Sequence, residues 1–500
     1  MTTHALAFPV GSRSRNAARC AGVSLLLTLF AVAFGGCGPA FDAEHPARTP
    51  LADKWLTRAK LSYKAGDFAD ASDAAKSALQ AAPSDPEIKT LAARIALAKL
   101  DFGETLKLTA GLQTTEVHSL RGRAHWFSGD IEQAADELEA MLQDPAVRDP
   151  WATEVAKLAR LGTGRHPFAI EDGYVASIEM PQAGPALIVP CELEGESILA
   201  LVATASSEVV IDSATRHESA WVNLKFGDRL EVKDVPALTQ DLSGVSHELG
   251  APIKALLGAN LLRHVHATFD RRGDQFVVRR DEAPPPPDAS RVPLWYVRGG
   301  GMFLRAGITP TTPTAAGTGP LEAAVLTPLL VDTTSLFPVA LQDSIFARAG
   351  VDLGSLHSEP GAPNLKTGTL PSFRLGAFDL PKVPAVEGAP MGDILANVDL
   401  DMGGVIGAGL LSVFRVTFGD DGRFIWIEPD PLMMQSMGPP PPDLPVSGAP
   451  RESGTATAVP PANAPPPTTP AKGTATPAPP VKAAPLPPSS SVPSAKGSKT

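Results

Sequence analysis

The sequence predicts a multidomain chain of α and β parts: an N-terminal helical repeat domain, two mainly-β barrel lobes, and a disordered C-terminal tail. Residues 52–163 place apolar side chains at spacings of three and four, with frequent Ala and few β-branched residues, which is the helical period. Residues 168–281 and 293–430 switch to period-two and apolar β-type runs, among them ALIVPCEL, ILALVAT and RFIWIEP, the signature of strands. Residues 437–500 are mostly Pro, Ala, Ser and Thr, with nineteen prolines. Such a segment buries too little apolar surface to offset the entropy of ordering it.

In chain order, the first element is a targeting segment. Arg13, Arg15 and Arg19 precede the apolar run Val23–Phe34, a charged region and a short hydrophobic region in the order of a signal peptide. Phe34-Gly35-Gly36-Cys37 follows and resembles a bacterial lipoprotein lipobox. That resemblance implies a signal peptide over 1–36, a lipid on Cys37, and a tether over 37–51. Gly38 is not the Asp that favours inner-membrane retention, which places the expected anchor at the outer membrane, facing the periplasm or the surface. A lipid holds a chain to a membrane without spanning it.

The helical region breaks at Ala65-Gly66-Asp67, Pro83-Ser84-Asp85-Pro86, Ser128-Gly129-Asp130 and Asp149-Pro150. Trp55, Ala59, Tyr63, Gly66, Phe68, Ala71, Ala75, Ala78 and Pro83 form one unit, and Trp126, Gly129, Ile131, Ala134, Leu138 and Met141 repeat much of it. The spacing resembles tetratricopeptide repeats. Residues 86–118 would be a degraded middle unit and 151–162 a capping helix. The resemblance implies a concave surface that binds a peptide or protein.

Glu282–Asp288 holds four consecutive prolines, so 282–292 is expected to be a stiff linker between the lobes. Thr309–Pro320 reads as a mobile loop. The net charge is −11 and the first 36 residues contain Arg but no acid, so the rest is more acidic than the whole. Outside the N-terminus there is no Lys/Arg block, which argues against nucleic acid as a partner. Cys20 and Cys37 belong to the targeting segment, leaving Cys191 alone in the body. No internal disulfide is available there, and Cys191 is expected to be a small buried strand residue.

The two β regions share an order of parts. LVATASSEVVID at 201–212 matches LVDTTSLFPVAL at 330–341, each a strand entering a small-residue turn. A hairpin follows, KFGDRLEVKDVPAL at 225–238 and RLGAFDLPKVPAV at 374–386. Then come Leu256-Leu257-Gly258 and Val405-Ile406-Gly407, a Leu-Leu pair at 261–262 and 410–411, and a last hairpin with Gly273 or Gly422 at its tip. This order resembles the lobe of retropepsin-like and pepsin-like aspartic proteases, in which a strand delivers Asp-Thr/Ser-Gly and an apolar-apolar-Gly segment packs behind it. The family's chemistry needs two carboxyl groups sharing one proton around a water.

Carried over by position, Asp332 takes the catalytic aspartate of the second lobe and Thr333 its threonine, with Thr334 in place of Gly and Ser335 next. In the first lobe Ala203 stands at the aspartate position, followed by Thr204, with Ala205 in place of Gly and Ser206 next. That lobe has no acid. Asp332 is expected to close its own turn; residual catalysis and ligand contact are the alternatives. Asp212 is expected to be a strand-end turn residue. His264 and His266, two apart, would lie on one face of a strand without a third ligand, so no metal is expected. No motif for a cofactor is present.

The expected function is a membrane-anchored envelope scaffold that binds a peptide or protein through its helical repeats and through the cleft between Ala203 and Asp332. An active endopeptidase is the alternative. In it two copies of the chain each supply Asp332 to a homodimer. A third expectation is two small β-barrels serving envelope assembly.

Overall fold

The computed structural model describes residues 48–271, 273–298, 300–310, 326–359, 362–389 and 398–429. Cys37 with its targeting segment, most of the Thr309–Pro320 insertion, and the tail from Met437 lie outside the described residues.

Seven helices come first: α1 (Pro50–Lys64), α2 (Phe68–Ala81), α3 (Pro86–Ala98), α4 (Phe102–Thr109), α5 (Thr115–Ser128), α6 (Ile131–Leu142) and α7 (Pro150–Leu161). Local chemistry sets where they start. Thr49, Asp85 and Asp149 each accept a backbone N–H of the first turn, and a proline occupies the next position, where its missing N–H costs nothing. Gly129 ends α5 at φ 87°, a left-handed cap that glycine adopts without a Cβ clash. Alanines let the hairpins close: Ala52, Ala59, Ala71, Ala74 and Ala78 are all buried between helices.

The first lobe is a closed barrel. Its strands run around the ring as 188–193, 196–203, 253–258, 209–212, 230–240 and 220–226, and the last pairs back with the first. The second lobe repeats this ring with 302–309, 326–332, 404–407, 339–341, 378–387 and 362–375. In both rings the first two strands are sequential, the last strand in sequence is third, and the closing pair is in reverse order. Two copies of one topology therefore stand side by side, as the doubled order of parts predicts.

The lobes are not joined by a bare linker. A separate six-stranded sheet takes strands from both, in the order 290–293, 424–429, 414–419, 268–270, 275–279 and 175–179. Its middle is the antiparallel pair of 268–270 with 414–419, where Thr268 faces Thr417 and their hydroxyls lie 3.0 Å apart. Residues 282–292 thus do not stay a stiff spacer to their end: Ser290–Pro293 is a strand paired with Phe424–Pro429. The proline run stops at Pro287, which frees Ser290 onward to donate its backbone N–H groups.

The helices sit on this β body. Phe68 of α2 packs against Trp295 and Phe303, with ring centroids 5.9 and 5.4 Å away, and Tyr63 meets Phe68 edge-on at 5.3 Å. Leu330, Ala340 and Val405 of the second barrel's outer face join the same apolar cluster as α1–α3. On the first lobe, Trp221 donates to the Leu158 carbonyl of α7 at 2.8 Å. The helical domain is one body with the lobes.

Candidate functional site

Each turn is held by the strand beneath it. Strand 196–203 runs parallel to 253–258 with Ala203 opposite Gly258, and strand 326–332 runs parallel to 404–407 with Asp332 opposite Gly407. These two glycines are obligatory at close approach. A Cβ on Gly258 would stand 2.1 Å from the Glu208 carbonyl oxygen, and one on Gly407 2.0 Å from that of Phe337. Ala259 and Ala408 then donate to the Ser206 and Ser335 carbonyls, both at 2.8 Å. The apolar-apolar-Gly segments do pack behind the turns.

The turns meet through their threonines. The Thr204 hydroxyl donates to the Val331 carbonyl at 2.7 Å, and the Thr333 hydroxyl donates to the Val202 carbonyl at 2.7 Å. Each hydroxyl also accepts the other threonine's backbone N–H at 3.2 Å. Both residues are fully buried. The lock is symmetric to the last atom pair, and it brings Ala203 and Asp332, one peptide before each threonine, to the same junction.

At that junction the symmetry ends. Ala203 offers a methyl, 1% exposed, packed with Leu201, Val210 and Leu256. Asp332 is 4% exposed. One of its oxygens accepts the Thr334 N–H at 3.0 Å and the Thr334 hydroxyl at 2.6 Å, and the other accepts the Ser335 hydroxyl at 2.7 Å. The carboxyl is engaged by its own turn. Along strand 326–332, Leu329 and Val331 enter the barrel while Leu330 faces the helical domain. Strand alternation puts Asp332 on the helix-facing side.

The remaining sequence candidates fall elsewhere. Asp212 ends its strand, accepts the Leu242 N–H at 3.2 Å and reaches the Lys254 ammonium at 3.2 Å. His264 and His266 do not share a strand face. His264 closes helix 259–264, donates from Nδ1 to the Asn260 carbonyl at 2.7 Å, and stacks on Phe168. His266 lies in the turn after it at φ 41°, because the helix ends between the two. Burial drops the His264 pKa to about 3, so it stays neutral. No group of three metal-binding side chains occurs among the described residues. Cys191 is buried, and burial pushes its thiol pKa up to about 12.

The sequence did not single out a second site at the helix–lobe junction. Glu208, at the end of the first lobe's turn, is 1% exposed and accepts the indole N–H of Trp126 at 3.0 Å. Burial raises its carboxyl pKa, opposed by hydrogen bonds from Trp126, Ser207 and Asn260. Beside it opens a pocket of about 50 Å³ lined by α3 and α5 on one side and by Ser207, Asn260, Arg263 and Tyr296–Arg298 on the other. Residues 295–298 lie against α2, α3 and α5. Arg123 of α5 donates to the Arg298 carbonyl at 2.8 Å, and Arg298 donates to the Ser119 hydroxyl at 2.9 Å. A Cβ on Gly301 would stand 2.6 Å from the Ala205 carbonyl oxygen. α3 and α5 therefore carry a segment of the chain itself on the side that lines this pocket. Neither Ala203 nor Asp332 lines this pocket.

No protein-family model matches the chain, and no curated protein matches it. Among solved structures it is similar to an aspartic proteinase from Irpex lacteus, at 11% identity over 51% of this chain and 97% of that one, with a TM-score of 0.35. It is similar to a retropepsin-like aspartic protease from Rickettsia conorii, at 18% identity over 28% and 90%, with a TM-score of 0.20. It is also similar to an Arabidopsis OM64 tetratricopeptide-repeat domain, at 14% identity over 22% and 92%, with a TM-score of 0.20.

Proposed function

We propose that the chain is a non-catalytic binding protein built on a bilobal, aspartic-protease-like body with a helical-repeat domain docked onto it. One observation carries this. The threonine lock joins the two turns, and the residue before the lock is Asp332 in one lobe but Ala203, with only a methyl, in the other. General acid–base hydrolysis by this architecture needs one carboxyl to hold the proton while the other takes the water's. The matching position of the first lobe supplies no carboxyl to share a proton, and the Asp332 oxygens are already engaged by Thr334 and Ser335.

The homodimer alternative asks the second lobe to exchange partners. Its lock is made within one chain, to Val202 and Thr204, and the shared sheet ties the lobes further. Both would have to open before two copies could pair. The lipid anchor on Cys37 and an envelope location belong to the same proposal, supported by the charged and apolar order of residues 13–37. No described helix is long and apolar enough to cross a membrane.

The test is incubation of the purified chain with unfolded substrates from acid to neutral pH, with and without an active-site-directed aspartic protease inhibitor. No cleavage above background is expected. Inhibitor-sensitive cleavage that disappears in Asp332→Asn would overturn the proposal.

A further inference from the structure

The junction pocket carries an imbalance of charge. Three guanidinium groups border it, Arg94, Arg263 and Arg298, against two carboxyl groups, Glu116 and Asp399. Both acids pair with Arg94. Arg263 is 5% exposed, and its named partners are neutral: the Asn260 side-chain oxygen at 2.8 Å and the Phe127 carbonyl. Arg298 bonds the Ser119 hydroxyl at 2.9 Å. Neither has a carboxylate at ion-pair distance among the described residues. Arg298 is exposed at the pocket mouth, whereas Arg263 is buried, and a buried cation without a counter-ion is costly. Glu208 accepts the Trp126 N–H, and it and Asp421 act on Arg263 through space rather than as ion pairs.

We propose that this pocket binds a single carboxylate group of a small ligand, held by Arg263 and Arg298. Among the lining side chains the guanidinium groups exceed the carboxyl groups by one, which favours a monoanion over a dianion. Guanidinium presents a planar fork that fits the two oxygens of a carboxylate. The volume of about 50 Å³ admits a group of acetate size. The walls from Leu97, Leu120, Phe127 and Val297 are apolar, which lowers the local dielectric and strengthens the pairing. The site rests on the proposal of a binding protein only in its role, not in its geometry, since Asp332 takes no part in it.

The experiment is isothermal titration of the whole chain with sodium acetate and, separately, with inorganic phosphate, at constant ionic strength set by chloride. Saturable acetate binding is expected, with a dissociation constant on the order of 1 mM. Phosphate should bind at least about tenfold more weakly. Arg298→Met should weaken acetate by about tenfold or more, and Arg298→Lys by less. Leu97→Phe, which fills the pocket from the helical wall while keeping every charge, should abolish binding. It also serves where Arg298→Met fails to fold. Absence of saturable acetate binding, tighter binding of phosphate, or acetate binding unchanged in Leu97→Phe would each overturn the site. A negative titration beside a silent protease assay removes this site and leaves the non-catalytic function standing. Inhibitor-sensitive cleavage beside positive titration does the reverse.

Discussion

Replacing Thr204 by Val tests the lock that brings the two turns together. The substitution keeps shape and removes one hydroxyl. That hydroxyl donates to the Val331 carbonyl and accepts the Thr333 N–H, and Val331, Thr333 and Thr204 are 1, 0 and 0% exposed. The site is closed to solvent. Two backbone groups of the opposite lobe are left without partners, and each such group costs about 1–3 kcal/mol. Thr204→Val is therefore expected to cost about 2–6 kcal/mol, and Thr333→Val, which strands the Val202 carbonyl and the Thr204 N–H, the same by symmetry. Opening either half lets the turns separate and spoils the other half. The double variant should then cost less than the sum, with a coupling of about 0.5–3 kcal/mol. Urea titration followed by tryptophan fluorescence reads both quantities. Thr204→Ser keeps the hydroxyl and is the control. If Thr204→Val costs under about 1 kcal/mol, or if the two valines add without coupling, the turns are not held together in the way described.

Asp332→Ala removes the acceptor of three hydrogen bonds and should cost about 2–4 kcal/mol in thermal or urea unfolding, with Asp332→Asn milder because one oxygen remains. Glu208 has a pKa raised by burial from its ordinary 4.5. The folded state then holds a proton that the unfolded state releases, and stability falls as pH rises above about 4.5 until the folded-state pKa is passed. Glu208→Gln keeps an acceptor for the Trp126 N–H and should flatten that fall in a pH series of urea midpoints. Phe68→Ala opens a cavity among Tyr63, Trp295 and Phe303 and should cost about 3–5 kcal/mol. Limited proteolysis should then cut between α1 and α2 first.

Much of the fold was legible because its signals are local. A cap residue followed by proline announces α1, α3 and α7, and the period of three and four does the rest. The doubled order of turn, hairpin and apolar-apolar-Gly foretold two barrels of one topology, since each part has a fixed task in the ring. The shared sheet was not legible. Its central strand, Thr268–Asp270, has three residues, too short for a period to show, and its partner lies far along the chain at Phe414–Gly419. The docking of the helices was hidden for a different reason. LTPLLVD is apolar at consecutive positions, which says that both faces are buried but not that one is covered by α1–α3. The histidines were misplaced because a helix end falls between them. Glu208 and Arg263 did leave a trace, Glu208 leading into Val209-Val210-Ile211 and Arg263 following Leu261-Leu262, a pattern that buried polar residues share with many surface ones.

The two halves of the junction also show that the threonines and the residues before them carry different duties. Each threonine hydroxyl satisfies two buried backbone groups of the other lobe, so neither is dispensable. The residue before it carries no such duty. In the first lobe the turn closes without a carboxyl: Ser206 donates its N–H to the Ala203 carbonyl at 3.1 Å and its hydroxyl to the Glu208 carbonyl at 3.1 Å. In the second lobe the same N–H bond forms at 3.2 Å, and the Asp332 carboxyl adds three more. Structure alone therefore tolerates Ala at one position and uses Asp at the other. Chemistry would demand both. Ala203→Asp separates the two requirements. The new carboxyl enters a site 1% exposed, where burial, and Asp332 if the two positions face each other, force its pKa up. The variant should be destabilised at neutral pH and regain stability toward acid, as the shared proton binds. If the lock alone orients a working pair, weak acid-pH cleavage appears with it. A variant whose stability is the same at pH 4 and pH 7 would show that the two positions do not face each other across the junction.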